Sequence, residues 1–343
     1  MKTVYSEGHR QHDAKVDFAG GKFIATFETP RRAEIVLERV RDTGLGEVIE
    51  PGEFSMAPLL RVHDGAFLRF LETAYSEWFE VYGDSFTRPA IAIGPGMRRK
   101  LPSRIGARLA YYAIDASTPI TATSWRAARG SANVALTAQA IMAKGERAAF
   151  ALCRPPGHHA GRDFFGGYCF LNNAAIAAQA FIDGGATRAA VLDVDFHHGN
   201  GTQGIFYDRN DLLFASLHGH PEDEYPYFVG FADERGEGAG EGFNLNYPLR
   251  PGTAWDGYRP ALAGAIAEID GFGPDALVVS LGVDTFKGDP ISHFKLESEE
   301  FIRIGEMIAR LKRPTLFVME GGYAVEEIGL NAVNVLMGFE GRG

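Results

Sequence analysis

Four short stretches gather the side chains able to do chemistry: Arg154-Pro-Pro-Gly-His158-His159, Asp193-Val-Asp195-Phe-His197-His198-Gly-Asn200, Leu-Gly-Val-Asp284 and Glu320-Gly-Gly-Tyr323. Asp193, Asp195 and His197 have equal parity at the end of an apolar run, so an extended backbone is expected to point all three the same way. Carboxylates with an imidazole suit a divalent metal, although spacing alone does not say which of the three bind it. Asp284 ends another apolar run and offers the carboxylate that completes an open three-ligand site with Asp195 and His197. Water in the remaining position would be acidified and aimed at a carbonyl. His158 and His159 follow a rigid Pro-Pro-Gly turn, and Asp193 and Asn200 are of the types that orient imidazoles. A carboxylate on one ring and an amide on the other would split their basicities into a base and its electrostatic helper. Tyr323 follows two glycines, where a phenol can reach in and donate to an oxyanion.

These groups need a frame. Apolar, β-rich runs at Thr3–Tyr5, Ala148–Cys153, Ala189–Val194, Leu212–Leu217, Ala276–Leu281 and Thr315–Met319 alternate with helical patterns. The helices are predicted at Arg31–Thr43, Asp64–Tyr82, Ser124–Ala143, Ala174–Asp183, Trp255–Asp270, Ser298–Arg310 and Val325–Met337. Such alternation predicts a parallel sheet with helices on both faces. Ligands gather at the carboxyl ends of strands in such sheets, and all four stretches fall there. Two long polar or glycine-rich segments, Gly83–Arg104 and His218–Thr253, read as loops, either lids and interfaces or solvated insertions.

Composition narrows the classes. With 45% hydrophobic and 23% charged residues among 343, the chain reads as one globular enzyme domain. No apolar run is long enough for a membrane span, and the N-terminus lacks the apolar core of a secretory signal. A cytoplasmic protein is therefore expected. Cys153 and Cys169 alone make neither a disulfide framework nor a cysteine zinc site. The net charge of −10 argues against a nucleic-acid surface and suits a cationic substrate.

The stretches, together with Gly167-Tyr-Cys-Phe-Leu-Asn-Asn173, Asp193 through Thr202 and Asp289-Pro-Ile-Ser-His-Phe-Lys-Leu296, resemble the zinc-dependent histone deacetylase superfamily. The short chain is most similar to its bacterial acetylpolyamine amidohydrolases. That resemblance implies an arginase-like single α/β domain over residues 1–343, with a mostly parallel sheet of about eight strands and a long insertion loop at about 83–104. It implies one Zn2+ per chain on Asp195, His197 and Asp284, with Fe2+ or Co2+ as possible substitutes. His159 would be the general base and His158 its electrostatic partner or acid, backed by Asp193 and Asn200, while Tyr323 polarises the acetyl carbonyl. Gly167, Tyr168 and Tyr225 would shape the acyl tunnel. A structural K+ would sit on Asp193, Ser216 and the carbonyls of Asp195, His197 and Leu217. The expected partner is a small acetylated amine, with no nucleic acid and no membrane, and the expected assembly is a homodimer through the insertion.

Polyamine-directed members carry acidic residues near the tunnel mouth, where this chain has Arg104, Gly106, Arg108, Asp115 and Ser117. Weak discrimination by charge follows, with short acetyl-diamines served at least as well as acetylspermine. Three alternatives compete. A lysine deacetylase would use the same chemistry; a two-manganese ureohydrolase would need an Asp two positions after Asp284, where Phe286 stands; a non-catalytic binding protein would have lost a ligand or the phenol.

Overall fold

The computed structural model describes residues 1–19 and 21–343. Its strands are β1 (Lys2–Val4), β2 (Val16–Ala19), β3 (Lys22–Ala25), β4 (Val48–Ile49), β5 (Ala148–Ala151), β6 (Ala189–Asp193), β7 (Leu212–Gly219), β8 (Asn244–Leu249), β9 (Ala276–Leu281) and β10 (Thr315–Met319). Its α-helices are α1 (Pro30–Asp42), α2 (Ala57–Leu60), α3 (Gly65–Tyr82), α4 (Ile105–Tyr112), α5 (Ser124–Met142), α6 (Asn173–Asp183), α7 (Asn200–Phe206), α8 (Trp255–Phe272), α9 (Ser298–Ala309) and α10 (Ile328–Phe339).

Eight strands form one sheet in the order β4-β1-β5-β10-β9-β6-β7-β8, and every neighbouring pair is parallel. Burial on both faces explains why the strands read as unbroken apolar runs. Alternate residues divide cleanly between two cores. Phe150, Leu192, Val279 and Phe317 pack toward α1, α8, α9 and α10. Ala151, Val191, Val278 and Val318 pack toward α3, α4, α5 and α6. Full burial of each large aliphatic or aromatic side chain contributes about 1.5–3 kcal/mol, so the two layers fix the strand ends firmly. Local signals set the helix starts: Asp64 accepts from the Ala66 and Phe67 amides at 2.7 and 3.3 Å, and Glu297 and Glu300 close a capping box on α9.

Seven elements escaped the sequence reading: β2, β3, β4, β8, α2, α4 and α7. The strand β8 lies inside the segment expected to be loop, because only pairing to β7 selects its extended form. The short helices α4 and α7 follow irregular segments and, at eight and seven residues, are too short for a periodic pattern to stand out. Residues 83–104 contain no helix or strand. A separate antiparallel hairpin, β2–β3, stands apart from the main sheet.

Candidate active site

The decisive feature of the fold is strand order. Strands β5, β10, β9 and β6 are consecutive neighbours, so the four chemistry-bearing stretches emerge side by side from one sheet edge. Ala151, Val318, Ser280 and Asp193 form one row across them. Asp195 and Glu320 both lie two residues beyond that row, and Asp284 lies four beyond it.

The expected single-facing trio is corrected here. β6 ends at Asp193, and Asp195 and His197 lie in the loop after it. Asp193 turns to His158, while Asp195 and His197 meet Asp284, since a bent backbone no longer holds the two-residue alternation. His197 Nδ1 lies 3.0 Å from Asp284 Oδ2 and 3.4 Å from Asp195 Oδ1. One donor atom from each residue falls within 4.8 Å of the others, and both carboxylates have no solvent exposure. Backbone amides fix the carboxylates: Gly321 donates to Asp195 at 2.8 Å and Phe196 to Asp284 at 2.8 Å. A Cβ at Gly321 would sit 2.5 Å from both Asp195 and Asp284, so only glycine allows that approach.

The electrostatics of this trio call for a cation. Burial first, and the Asp195 carboxylate second, push Asp284 up to about 7. Burial opposes charge on His197, but Asp195 and Asp284 outweigh it and raise the imidazole to about 10. Two buried carboxylates and one imidazole with mutually facing donor atoms fit a divalent first-row ion.

The histidine pair sits beside it, with ring centroids 4.0 Å apart. His158 Nδ1–H donates to Asp193 Oδ2 at 3.0 Å, and His159 Nδ1–H donates to Asn200 Oδ1 at 2.7 Å. Both bonds leave Nε2 for the site. Burial opposes charge on His158, yet Asp195 and Asp193 raise it to about 10. His159 falls well below its usual value, through burial and then the charges of His158 and His197. Neighbouring rings are thus driven to opposite protonation states.

Tyr323 completes the constellation. Asp289 Oδ2 accepts from its backbone N–H at 2.7 Å, and the Arg32 guanidinium lies 4.6 Å from its ring centre. Burial, partly opposed by Arg32, keeps the phenol protonated far above its usual range. Arg32 also donates to the carbonyls of Gly322 (2.6 Å) and Glu320 (2.7 Å). Glu28 pairs with both Arg32 and Arg154 from within the core; burial would raise its pKa, but the two guanidiniums hold it low.

A cavity of about 110 Å³ reaches this centre, bounded by His159, His197, Tyr323, Gly167, Tyr168 and Tyr225. Gly167 adopts φ 55°, and a Cβ there would strike His159. The larger cavity, about 610 Å³ under residues 89–93, contains none of the clustered histidines. Of the residues expected near the mouth, Asp115 and Ser117 line the narrow cavity, while Arg104 and Arg108 do not. Arg108 turns to Glu77 instead. Asp115 spends its charge internally: Oδ2 accepts from the Gly167 amide (2.5 Å) and the Tyr225 hydroxyl (2.9 Å), and Oδ1 from Ser117 and Thr118. The expected potassium residues, Asp193 and Ser216, are paired in register on β6 and β7, and Ser216 Oγ meets His218 Nδ1 at 2.8 Å.

Several supports were missed from sequence. Glu320 Oε2 accepts from the Gly157 and His158 amides at 2.6 and 3.1 Å, locking the turn that carries the histidines. Glu320 and Asp289 lay inside quoted motifs, so their position was the signal. Nothing in the local sequence marked Asp17, whose Oδ2 accepts from the Tyr168 hydroxyl at 2.6 Å.

Comparison with known proteins gives the family and the fold. A family model described as histone deacetylase domain matches residues 26–338. Acetylpolyamine amidohydrolase 1 of Pseudomonas aeruginosa is 58% identical, covering 99% of each chain, and acetylpolyamine amidohydrolase of Mycoplana ramosa is 48% identical over 99% of this chain and 100% of its own. The crystal structure of acetylpolyamine aminohydrolase from Burkholderia pseudomallei superposes with a TM-score of 0.95 at 41% identity, covering 100% of this chain and 99% of its own. The HD domain of HDA15 superposes at 0.83 with 26% identity, covering 99% of this chain and 89% of its own.

Proposed function

This chain belongs to the histone deacetylase family, and we propose that it hydrolyses the amide of N-acetylated polyamines and short alkyl-diamines, releasing acetate and the free amine. The observation that carries the reading is the histidine pair, one ring bonded to the Asp193 carboxylate and the other to the Asn200 amide, beside a buried two-carboxylate, one-imidazole donor set. Identity of 48–58% to acetylpolyamine amidohydrolases over the full length supports the substrate class.

Asp195, His197 and Asp284 would hold one Zn2+, with Fe2+ or Co2+ also suited to the donor set. When bound, such an ion polarises a carbonyl and acidifies a coordinated water. His159, with its Nδ1 proton committed to Asn200, presents an unprotonated Nε2 that takes the proton of the attacking water. His158, held charged by Asp193, supplies positive charge and a proton for the leaving amine. The Tyr323 hydroxyl donates to the developing oxyanion. Gly167, Tyr168 and Tyr225 hold a slim acyl chain and exclude water. Asp193, Ser216 and the carbonyls of Asp195, His197 and Leu217 would hold a structural K+.

The same reading includes a cytoplasmic location, where free thiols such as Cys153 and Cys169 are the rule. Among the described residues, no helix is long and apolar enough to cross a membrane. It also includes a homodimer through 83–104, supported by exposed Ile91, Ile93, Met97 and Leu101 on that segment.

The test is a kcat/KM series over acetylputrescine, acetylcadaverine, acetylspermine and an acetyl-lysine peptide, with metal analysis of the same preparation. One metal per chain is expected, with acetyl-diamines served at least as well as acetylspermine, because both Asp115 oxygens are already occupied by hydrogen bonds within the protein. A peptide preferred by about tenfold or more would make the protein a lysine deacetylase instead.

A further inference from the structure

Tyr168 lines the narrow cavity with its backbone at φ 66°, a left-handed conformation that is unfavourable for a residue other than glycine. Surrounding contacts must therefore hold it. Its N–H donates to Thr118 Oγ1 at 2.9 Å, its ring centre lies 5.7 Å from that of Tyr323, and its hydroxyl donates to Asp17 Oδ2 at 2.6 Å. Asp17 is 2% exposed, and its other oxygen accepts from the Phe18 amide at 2.6 Å. A buried phenol on a carboxylate is a strong, directional tether.

Asp17 belongs to the β2–β3 hairpin, which has no place in the main sheet, and a lone hairpin is marginally stable. What steadies it lies on the next residue. Strand alternation sends Asp17 toward Tyr168 and Phe18 to the opposite face, where Phe18 meets its cross-strand partner Phe23 at 5.4 Å between ring centres. The segment 83–104 touches both rings: Phe86 lies 5.3 Å from Phe23 edge to face, and the Arg88 guanidinium lies 4.4 Å from the Phe18 ring centre. A continuous chain of contacts joins this segment to the tunnel wall.

We propose that Asp17 is a positioning residue that sets tunnel width through Tyr168, and that Phe86 and Arg88 of the 83–104 segment hold it there through the hairpin. The segment thereby governs acyl-chain selectivity without touching the substrate. Loosening the tether lets Tyr168 withdraw, which weakens the fit to acetyl and admits bulkier acyl groups. The selectivity part rests on the deacetylase reading; the tether itself does not.

Two readouts separate the two ideas. The first is kcat and KM for N-acetyl and N-butyryl forms of one diamine in wild type, Asp17→Ala, Tyr168→Phe, their combination, and Phe86→Ala with Arg88→Ala. The acetyl-to-butyryl ratio of kcat/KM is expected to fall about fivefold or more in each, mainly through KM, with the Asp17/Tyr168 combination no worse than either single change. The second is the 19F resonance of 3-fluorotyrosine placed at position 168, expected to shift or broaden in Asp17→Ala and in the Phe86/Arg88 variant alike. A wild type inactive on every acetylated amine sinks the deacetylase reading and leaves the resonance to decide the tether. The inference is overturned if Asp17→Ala leaves both ratio and resonance unchanged, or if the Phe86/Arg88 variant changes neither.

Discussion

Chemistry at the residue scale comes from pairs of like groups in unlike surroundings. His158 and His159 are adjacent in sequence and ring to ring in space, yet one Nδ1 meets the Asp193 carboxylate and the other the neutral Asn200 amide. The oxyanion donor belongs to this scale as well. Tyr323→Phe keeps the buried ring under Arg32 and removes only the hydroxyl, so turnover is expected to fall roughly a hundredfold or more with the unfolding midpoint nearly unchanged. Steady-state kinetics beside a thermal melt decide this. A variant at near wild-type turnover would reduce Tyr323 to a packing residue.

Among the elements, loops pinned by buried polar side chains do the positioning. His63, at the corner between α2 and α3, donates from Nδ1 to the Gly161 carbonyl at 2.8 Å and accepts the Asn172 amide at Nε2, 3.0 Å. It thereby ties that corner to the loop after the histidine pair and to the start of α6. Accepting at Nε2 requires a neutral ring, and burial lowers its pKa to about 4. With the folded value below the ordinary value near 6.5, the unfolded chain binds more protons across that window. Stability is thus complete above about pH 6.5 and is lost as pH falls toward 4, by up to about 1.4 kcal/mol per pH unit for this group. His9, His12 and His218 are likewise lowered to about 4 and add to the same slope. His63→Asn offers a donor and an acceptor without titrating. Denaturant melts from pH 7 to 4 should show a shallower slope for that variant; an identical slope would mean His63 already titrates normally in the folded protein.

For the molecule as a whole, the sheet edge brings together two buried carboxylates, whose repulsion a bound cation would relieve. Asp195 and Asp284 face each other without solvent, so an ion bound only by the folded state is expected to stabilise it by about 4 kcal/mol at a thousandfold excess over its dissociation constant. Chelation should lower the thermal midpoint by several degrees and abolish turnover, and Zn2+ should restore both. An unchanged midpoint after verified metal removal would argue against a buried site at these three residues.

What the sequence determined by itself is the chemistry and the layering. Strand runs such as Ala-Leu-Val-Val-Ser-Leu281 and Thr-Leu-Phe-Val-Met319 declare a sheet buried on both faces, because that environment favours apolar residues at odd and even positions alike. The motifs around His158, Asp193, Asp284 and Tyr323 declare reactive groups at strand ends, because glycine, proline and paired titratable residues have few other reasons to cluster. The tertiary structure alone decided which groups meet. Strand order made neighbours of β5, β10, β9 and β6, and the bend after Asp193 separated it from Asp195 and His197. β8 was invisible because its extended form depends on β7. Asp17 was invisible because a carboxylate in a short alternating strand looks solvated until Tyr168, 151 positions away, folds onto it. Local propensity and motif spacing act over a few residues, whereas burial and long-range pairing choose the partners, and those choices exist only in the folded chain.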